Sequence, residues 1–260
     1  MSESRHLEGK VALVTGSSRG IGRAIAVALL EAGADLAVHG RQGTGSSVAG
    51  ASELVALAKS KGRRAEAFQA DVSVRTEVEA LMAKVDAAFG RLDVLVLNAA
   101  RAPFKPTERL LERDLRGLVD VNLLGNVFCA QKALPLLARQ GGSVVFISSL
   151  GSRFMNPEYP LGPMKAAMEA WVKVWAEEWA GKNVSANAVC AGLVKTDAFL
   201  TLRQIWPEVA LLPDALFVTP EEVADVVTFL THPASRAIRG QTIVVDRGLS
   251  NRILRGPGPA

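Results

Sequence analysis

The sequence predicts a single α/β domain of doubly wound architecture, with seven parallel strands flanked by helices on both faces. Three observations carry this. Val11–Val14 is a short, wholly apolar run, as expected of a strand covered on both faces. It breaks into a loop with glycines at 16, 20 and 22, then resumes as an apolar helix with Ile21, Ile25, Leu29 and Leu30 at helical spacing. Strand, glycine loop and helix form the dinucleotide-binding start of such folds, where bare backbone and a helix N-terminus receive a pyrophosphate. Finally, 260 residues with 49% hydrophobic but only 5% aromatic content fit one Ala/Val/Leu-filled domain.

The remaining elements follow in order. Asp35–His39 reads as the second strand. Gly43–Ser47 is a flexible turn into a helix over about 48–61. Ala65–Ala70 is a third strand, ending at Asp71 and Val72. Ser73 is expected to cap the next helix, with Thr76 and Glu77 in its first turn and Gly90 ending it. Val94–Leu97 is a fourth strand leading into Asn98-Ala-Ala100. A short charged helix over 107–117 precedes a long one over 118–139, in which Asn122 is a polar amide that needs a partner. Gly141–Ser149 supplies a turn and the fifth strand, delivering Ser148 and Ser149 to the carboxyl end of the sheet, where ligands bind. Pro163 suits a helix start, leaving Tyr159 and Pro160 in the loop before it. That helix, over 164–180, carries Trp171, Trp175 and Trp179 as one stripe, destined either for the core or for an oligomer interface. Val184–Val189 is the sixth strand, Thr219-Pro-Glu-Glu222 opens a helix, and Ile243–Asp246 is the last strand. The tail from Arg255 to Ala260 is expected to fray.

The composition narrows the function. Two cysteines argue against a disulfide framework and for a reducing, cytoplasmic setting. No leader-like segment and no run of membrane-spanning length is evident. A net charge of +4 without a Lys/Arg block favours small anionic ligands over nucleic acid.

The spacing Gly16-x3-Gly20-x-Gly22 after Thr15 resembles that of the short-chain dehydrogenases/reductases, whose pattern can be laid over about residues 9–248. The resemblance implies a Rossmann fold, NADP(H) as cofactor, and a nucleotide site built from Gly16, Ser18, Arg19, Gly20, Ile21, Gly22, Arg41, Asp71, Val72, Asn98, Lys165, Val194 and Thr196. Where NAD-dependent relatives carry an acid after the second strand, this chain has Gly40 and then Arg41. Arg19 and Arg41 suit a 2′-phosphate, unless both are merely solvated surface charges. Asn98 is expected to brace the central strands. Asn122 either bends its helix and holds a water near Lys165, as in the family, or caps a neighbouring carbonyl.

By strand register Ser149 is the family's active serine. The ordinary signature then needs a Tyr four residues before Lys165, but Leu161 stands there. Tyr159, the chain's one tyrosine, lies six positions before the lysine. This arrangement, with Ser148-Ser-Leu-Gly-Ser152, Cys190–Thr196 and Arg239–Asp246, is similar to the NADPH-dependent enoyl-thioester reductases of the superfamily, whose Tyr is usually seven positions ahead. It implies hydride transfer to the β-carbon of an enoyl thioester on acyl carrier protein or coenzyme A, with Tyr159 beside the developing enolate. Lys165 would fix the nicotinamide ribose and lower the phenol pKa, with Ser149 and Asn122 in support. The rivals are a carbonyl reductase with the same cofactor and a non-catalytic cofactor-binding scaffold, with Tyr159 as a loop aromatic. The apolar stretch 197–218, with Phe199 and Trp206, resembles a substrate lid. The resemblance also implies a homodimer or homotetramer through helices 118–139 and 164–180. Arg247 stands where the family commonly has Gly.

Overall fold

In the computed structural model, described residues are 5–41, 45–154, 156–196, 199, 206, 209 and 211–252. Strands β1 (Val11–Val14), β2 (Asp35–Gly40), β3 (Ala65–Gln69), β4 (Val94–Leu97), β5 (Gly142–Ser149), β6 (Val184–Ala191) and β7 (Thr242–Val245) form one sheet. The order is β3-β2-β1-β4-β5-β6-β7 and every pairing is parallel. The order reverses between β1 and β4, which opens a crevice at the carboxyl ends of the strands. β5 and β6 stay paired out to Ser148↔Cys190 and Ser149↔Ala191, so the sheet reaches furthest at that end.

Helices cover both faces because the central strands are apolar on both sides. On one face, α1 (Gly20–Glu31), α2 (Gly45–Ser60) and α7 (Pro220–Leu230) bury Ile25, Leu29, Leu54, Val223 and Val227 against Ala12, Val14 and Val96. On the other, α3 (Arg75–Phe89), α5 (Gly125–Leu137) and α6 (Leu161–Glu178) bury Leu81, Ala130, Met168 and Val172 against Leu13, Leu95 and Phe146. Fully burying one such side chain contributes about 1.5–3 kcal/mol relative to leaving it wet, so the two apolar layers dominate stability.

Several expectations need correction. Ser73 does not cap α3. The N-cap is Val74, and the Ser73 hydroxyl donates instead to Asp71 Oδ1 at 2.5 Å. Glu77 folds back to accept the Asp71 N–H at 2.7 Å. The nearby carboxylate outcompetes the helix end for the serine. The short and long helices expected over 107–117 and 118–139 are not separate. A 3₁₀ turn at Thr107–Arg109 precedes α4 (Glu112–Val119), a π turn at Asp120–Leu124 and α5, which run on without a break. α6 opens at Leu161, two residues before Pro163. The tryptophan stripe divides. Trp175 and Trp179 are buried inside the subunit, stacked at 5.1 Å with an 8° interplanar angle, whereas Trp171 is 38% and Val174 51% exposed. A helix turns about 100° per residue, so an i, i+4, i+8 row drifts off the core face.

Arg247 adopts φ +51°, the left-handed region glycine takes without cost, and its guanidinium pairs with Glu222 of α7. Of the lid stretch, Phe199, Val209 and Phe217 form a small cluster with Leu193 and Leu212. Asp197, Ala198 and much of 200–210 lie outside the described residues, as do 42–44 of the expected turn and the tail 253–260. Among the described residues, no helix is long and apolar enough to cross a membrane, and no group of His, Cys, Asp and Glu could hold a metal ion.

Candidate active site

The glycine loop is shaped by what its residues lack. Gly16 (φ +68°) and Gly20 (φ +55°) take left-handed conformations. A Cβ on Gly22 would lie 2.3 Å from the Gly16 carbonyl oxygen and 2.5 Å from Asn98 Nδ2, so only glycine lets α1 pack this closely onto the loop. Arg19 occupies the N-cap of α1 without a side-chain cap, and the first turn holds no acid. The helix thus presents N–H groups and a positive dipole end to the crevice, the environment a pyrophosphate requires. Thr196 faces the loop, its Cγ2 3.7 Å from where a Gly20 Cβ would stand. Ser18 is buried in the loop and Ile21 is half-buried in the first turn of α1.

Two polar residues lock this loop. His39, at the end of β2, accepts the Gly16 N–H at Nδ1 (3.1 Å), and its Nε2 donates to the Ala70 carbonyl (3.1 Å). Burial pushes its pKa down to about 4, so the ring is neutral. Asn98 Nδ2 donates to the carbonyls of Thr15 and Gly16, and the Thr15 hydroxyl accepts the N–H groups of Asn98 and Ala99. Sequence reasoning missed His39, although a polar residue inside an otherwise apolar strand was the available signal.

Arg19 and Arg41 are both exposed at this end of the sheet. Burial raises the Asp71 pKa, but hydrogen bonds from Ser73 and the charge of Arg41 more than offset it, holding the carboxyl below its usual range. Val72 is buried, its carbonyl oxygen 2.8 Å from where a Gly125 Cβ would stand. Val194 makes a parallel bridge with Val218.

Asn122 lies in the π turn and is fully engaged with main chain. Its Nδ2 donates to the carbonyls of Leu118 (2.9 Å) and Arg101 (2.8 Å), and its Oδ1 accepts the Arg101 N–H (2.9 Å). It ties the segment after β4 to the α4–α5 junction. Its own carbonyl accepts from Asn126 Nδ2 at 2.8 Å.

Leu161 begins α6 and is buried, and no other described group of that turn supplies a phenol. Tyr159 approaches from the loop instead. The Cδ1–Cε1 edge of its ring packs on Gly151, where a Cβ would lie 2.6 and 2.7 Å from those carbons, and the ring lies against Phe104 at 5.7 Å. The Ser149 Oγ borders the same spot, 3.4 Å from that Cβ position. Burial raises the phenol pKa and the Ser149 hydroxyl offsets part of the rise. That hydroxyl is buried without a hydrogen bond of standard geometry, so its contact with the phenol is loose rather than closed. The phenol therefore faces into the protein beside Ser149.

Lys165 is buried. Its Nζ donates to the Ile147 carbonyl at 2.6 Å and sits 4.7 Å from the centroid of the Phe146 ring. Burial pulls its pKa down to about 8, partly opposed by the negative charge of Glu169. Glu169, one helical turn on, accepts the hydroxyls of Ser148 (2.5 Å) and Ser152 (2.6 Å). Sequence reasoning had no signal for Glu169, because its partners lie 21 and 17 residues away. The arrangement offers an anion-binding loop adjoining a phenol, a hydroxyl and a buried ammonium at the carboxyl edge of β5.

Several known proteins are similar to this chain over most of its length. The family model described as enoyl-(acyl carrier protein) reductase matches residues 16–250. The 1-cyclohexenylcarbonyl-CoA reductase of Streptomyces collinus is 38% identical, covering 93% of this chain and 87% of that protein. The hydroxynaphthalene reductase-like protein Arp2 of Metarhizium anisopliae is 33% identical over 94% of this chain and 96% of its own length. Among solved structures, a blue fluorescent protein from a metagenomic library, in complex with NADPH, superposes with a TM-score of 0.86 at 30% identity, covering 94% of this chain and 99% of that one.

Proposed function

Because the chain belongs to the short-chain dehydrogenase/reductase family and is an oxidoreductase of that type, we propose that it reduces the carbon–carbon double bond of an enoyl thioester with NADPH. The observation that carries this reading is the phenol of Tyr159, turned inward beside Ser149 although Leu161 occupies the usual position. The description of the matching family and the coenzyme A thioester in the name of the Streptomyces relative support the substrate class.

The nucleotide fits the residues present. Gly16, Ser18, Gly20, Ile21 and Gly22 form the bare cradle and helix N-terminus that hold its pyrophosphate. Arg19 and Arg41 hold the 2′-phosphate, for which no carboxylate stands at Gly40. Asp71 and Val72 border the adenine. Asn98, Val194 and Thr196 line the nicotinamide end, with Lys165 on the ribose. Bound NADPH supplies the hydride. Tyr159 hydrogen-bonds the thioester oxygen and donates its proton as negative charge gathers there. Lys165, charged below its pKa of about 8, would hold the nicotinamide ribose, and Ser149, whose hydroxyl offsets part of the burial-driven rise of the phenol pKa, would orient the carbonyl. Asn122 keeps the π turn and the segment after β4 in place. The apolar lid, with Phe199 and Phe217, excludes water from an acyl chain.

A second reading, reduction of a ketone, is favoured by the name of the Metarhizium relative, and the same phenol would protonate the alkoxide. Steady-state NADPH oxidation with crotonyl-CoA and acetoacetyl-CoA separates the two. Turnover of crotonyl-CoA is expected, with kcat lowered about 10²–10⁴-fold in Tyr159→Phe and NADPH affinity unchanged. Turnover of acetoacetyl-CoA alone overturns double-bond reduction, and full activity of Tyr159→Phe overturns the role of the phenol. We also propose that two subunits associate through helices 118–139 and 164–180, where Val119, Leu124, Trp171 and Val174 are exposed.

A further inference from the structure

A phenol on a helix is held by the helix. Tyr159 lies in the loop before α6, so its placement must come from elsewhere, at the cost of ordering a flexible segment. Two glycines provide the seat. One edge of the Tyr159 ring rests on Gly151, and the Gly151 carbonyl abuts Gly162 in the first turn of α6, 2.3 Å from where a Cβ would stand. Whatever fixes Gly151 therefore fixes both the ring and the start of α6.

Glu169 does this from below. One oxygen, Oε1, accepts hydroxyl hydrogen bonds from Ser148 at 2.5 Å and Ser152 at 2.6 Å, which bracket Ser149, Leu150 and Gly151. The other, Oε2, lies 3.7 Å from Arg153 Nη2. The Glu169 side chain is only 14% exposed, so these contacts are little diluted by water. A single carboxylate on the third turn of α6 thus gathers the end of β5 and the turn that follows it.

We infer that Glu169 is a positioning residue that clamps the loop 148–153 and so holds Tyr159 over the active site. The inference rests on the reading of Tyr159 given above, but it can be measured apart from catalysis. Tyr159 is the single tyrosine of the chain, so nitration by tetranitromethane, quantified by mass spectrometry, reports its exposure alone. With NADP⁺ bound to the full-length protein, Glu169→Ala is expected to raise the nitration rate about fivefold or more, as the loop opens locally. The same variant is expected to lower kcat for crotonyl-CoA about tenfold while the Kd for NADPH stays within about twofold, because a displaced catalytic group costs rate rather than nucleotide affinity. Glu169→Gln keeps an oxygen acceptor for both serines and should recover most of both effects.

If Glu169→Ala does not fold, Ser152→Ala removes one arm of the clamp and should raise nitration about twofold. Nitration at the wild-type rate in whichever of these variants folds overturns the inference, as does a Glu169→Gln that behaves like Glu169→Ala. Full activity of Tyr159→Phe would instead overturn the catalytic reading of the phenol, leaving the nitration result to decide the clamp.

Discussion

At the scale of single residues, Lys165 ties chemistry to pH. Its ammonium is buried over Phe146, and burial brings its pKa from 10.5 to about 8. In the unfolded chain the proton is held more tightly, so stability rises with pH between about 8 and 10.5. Below pH 8 the buried charge costs on the order of 3 kcal/mol. In the proposed mechanism activity runs the other way, since the charged form is the one that would hold the nicotinamide ribose. Log kcat/KM is expected to fall with unit slope above about pH 8, measured with crotonyl-CoA over a pH series. A profile flat to about pH 10 would remove the Lys165 charge from the mechanism. The displaced tyrosine was legible in the sequence, because Leu161 and Tyr159 are both read directly against Lys165. The Glu169 clamp and the Asn122 bonds to Arg101 were not, because each depends on which loop folds over which strand.

Elements were most legible where one force dominates. Apolar runs located β1 and β4 to the residue, since every position of these two strands is apolar and buried. Helix ends were less legible, because the Ser73 hydroxyl could either accept a helix N–H or donate to a nearby carboxylate, and it donates to Asp71. One tight element contact is that of α1 with its own loop. Gly22→Ala would drive a methyl to 2.3 Å from the Gly16 carbonyl, with no flexible side chain to yield. It is expected to cost about 1–3 kcal/mol by overpacking, seen as a lowered thermal midpoint, and to weaken NADPH binding at least about tenfold by calorimetric titration. Gly181→Ala, whose Cβ meets nothing within 4 Å, is the control and should change the melt by less than about 0.5 kcal/mol. A wild-type NADPH affinity in Gly22→Ala would show that the loop tolerates displacement.

For the whole molecule, the fold class and its seven-stranded parallel sheet followed from the glycine loop and its family pattern, whereas the fate of the tryptophan row depended on tertiary packing. Trp175 and Trp179 enter the core, so the surface available for association is narrower than the sequence suggests and centres on Trp171 and Val174. The double substitution Trp171→Glu with Val174→Glu places two charges in the proposed contact. By sedimentation velocity it is expected to shift the protein from an oligomer to the monomer mass of 27.5 kDa. An unchanged sedimentation coefficient would place the contact elsewhere.

His39 connects this assembly to its surroundings in another way. Its ring spends one nitrogen as an acceptor and the other as a donor, both toward backbone, and so has no vacancy for an added proton. Acidification would convert the acceptor into a second donor facing the Gly16 amide, setting two hydrogens against each other beneath the nucleotide turn. The two apolar layers feel nothing of this. Acid injury to the protein should therefore begin as a loosened grip on the dinucleotide, with the sheet still intact around it.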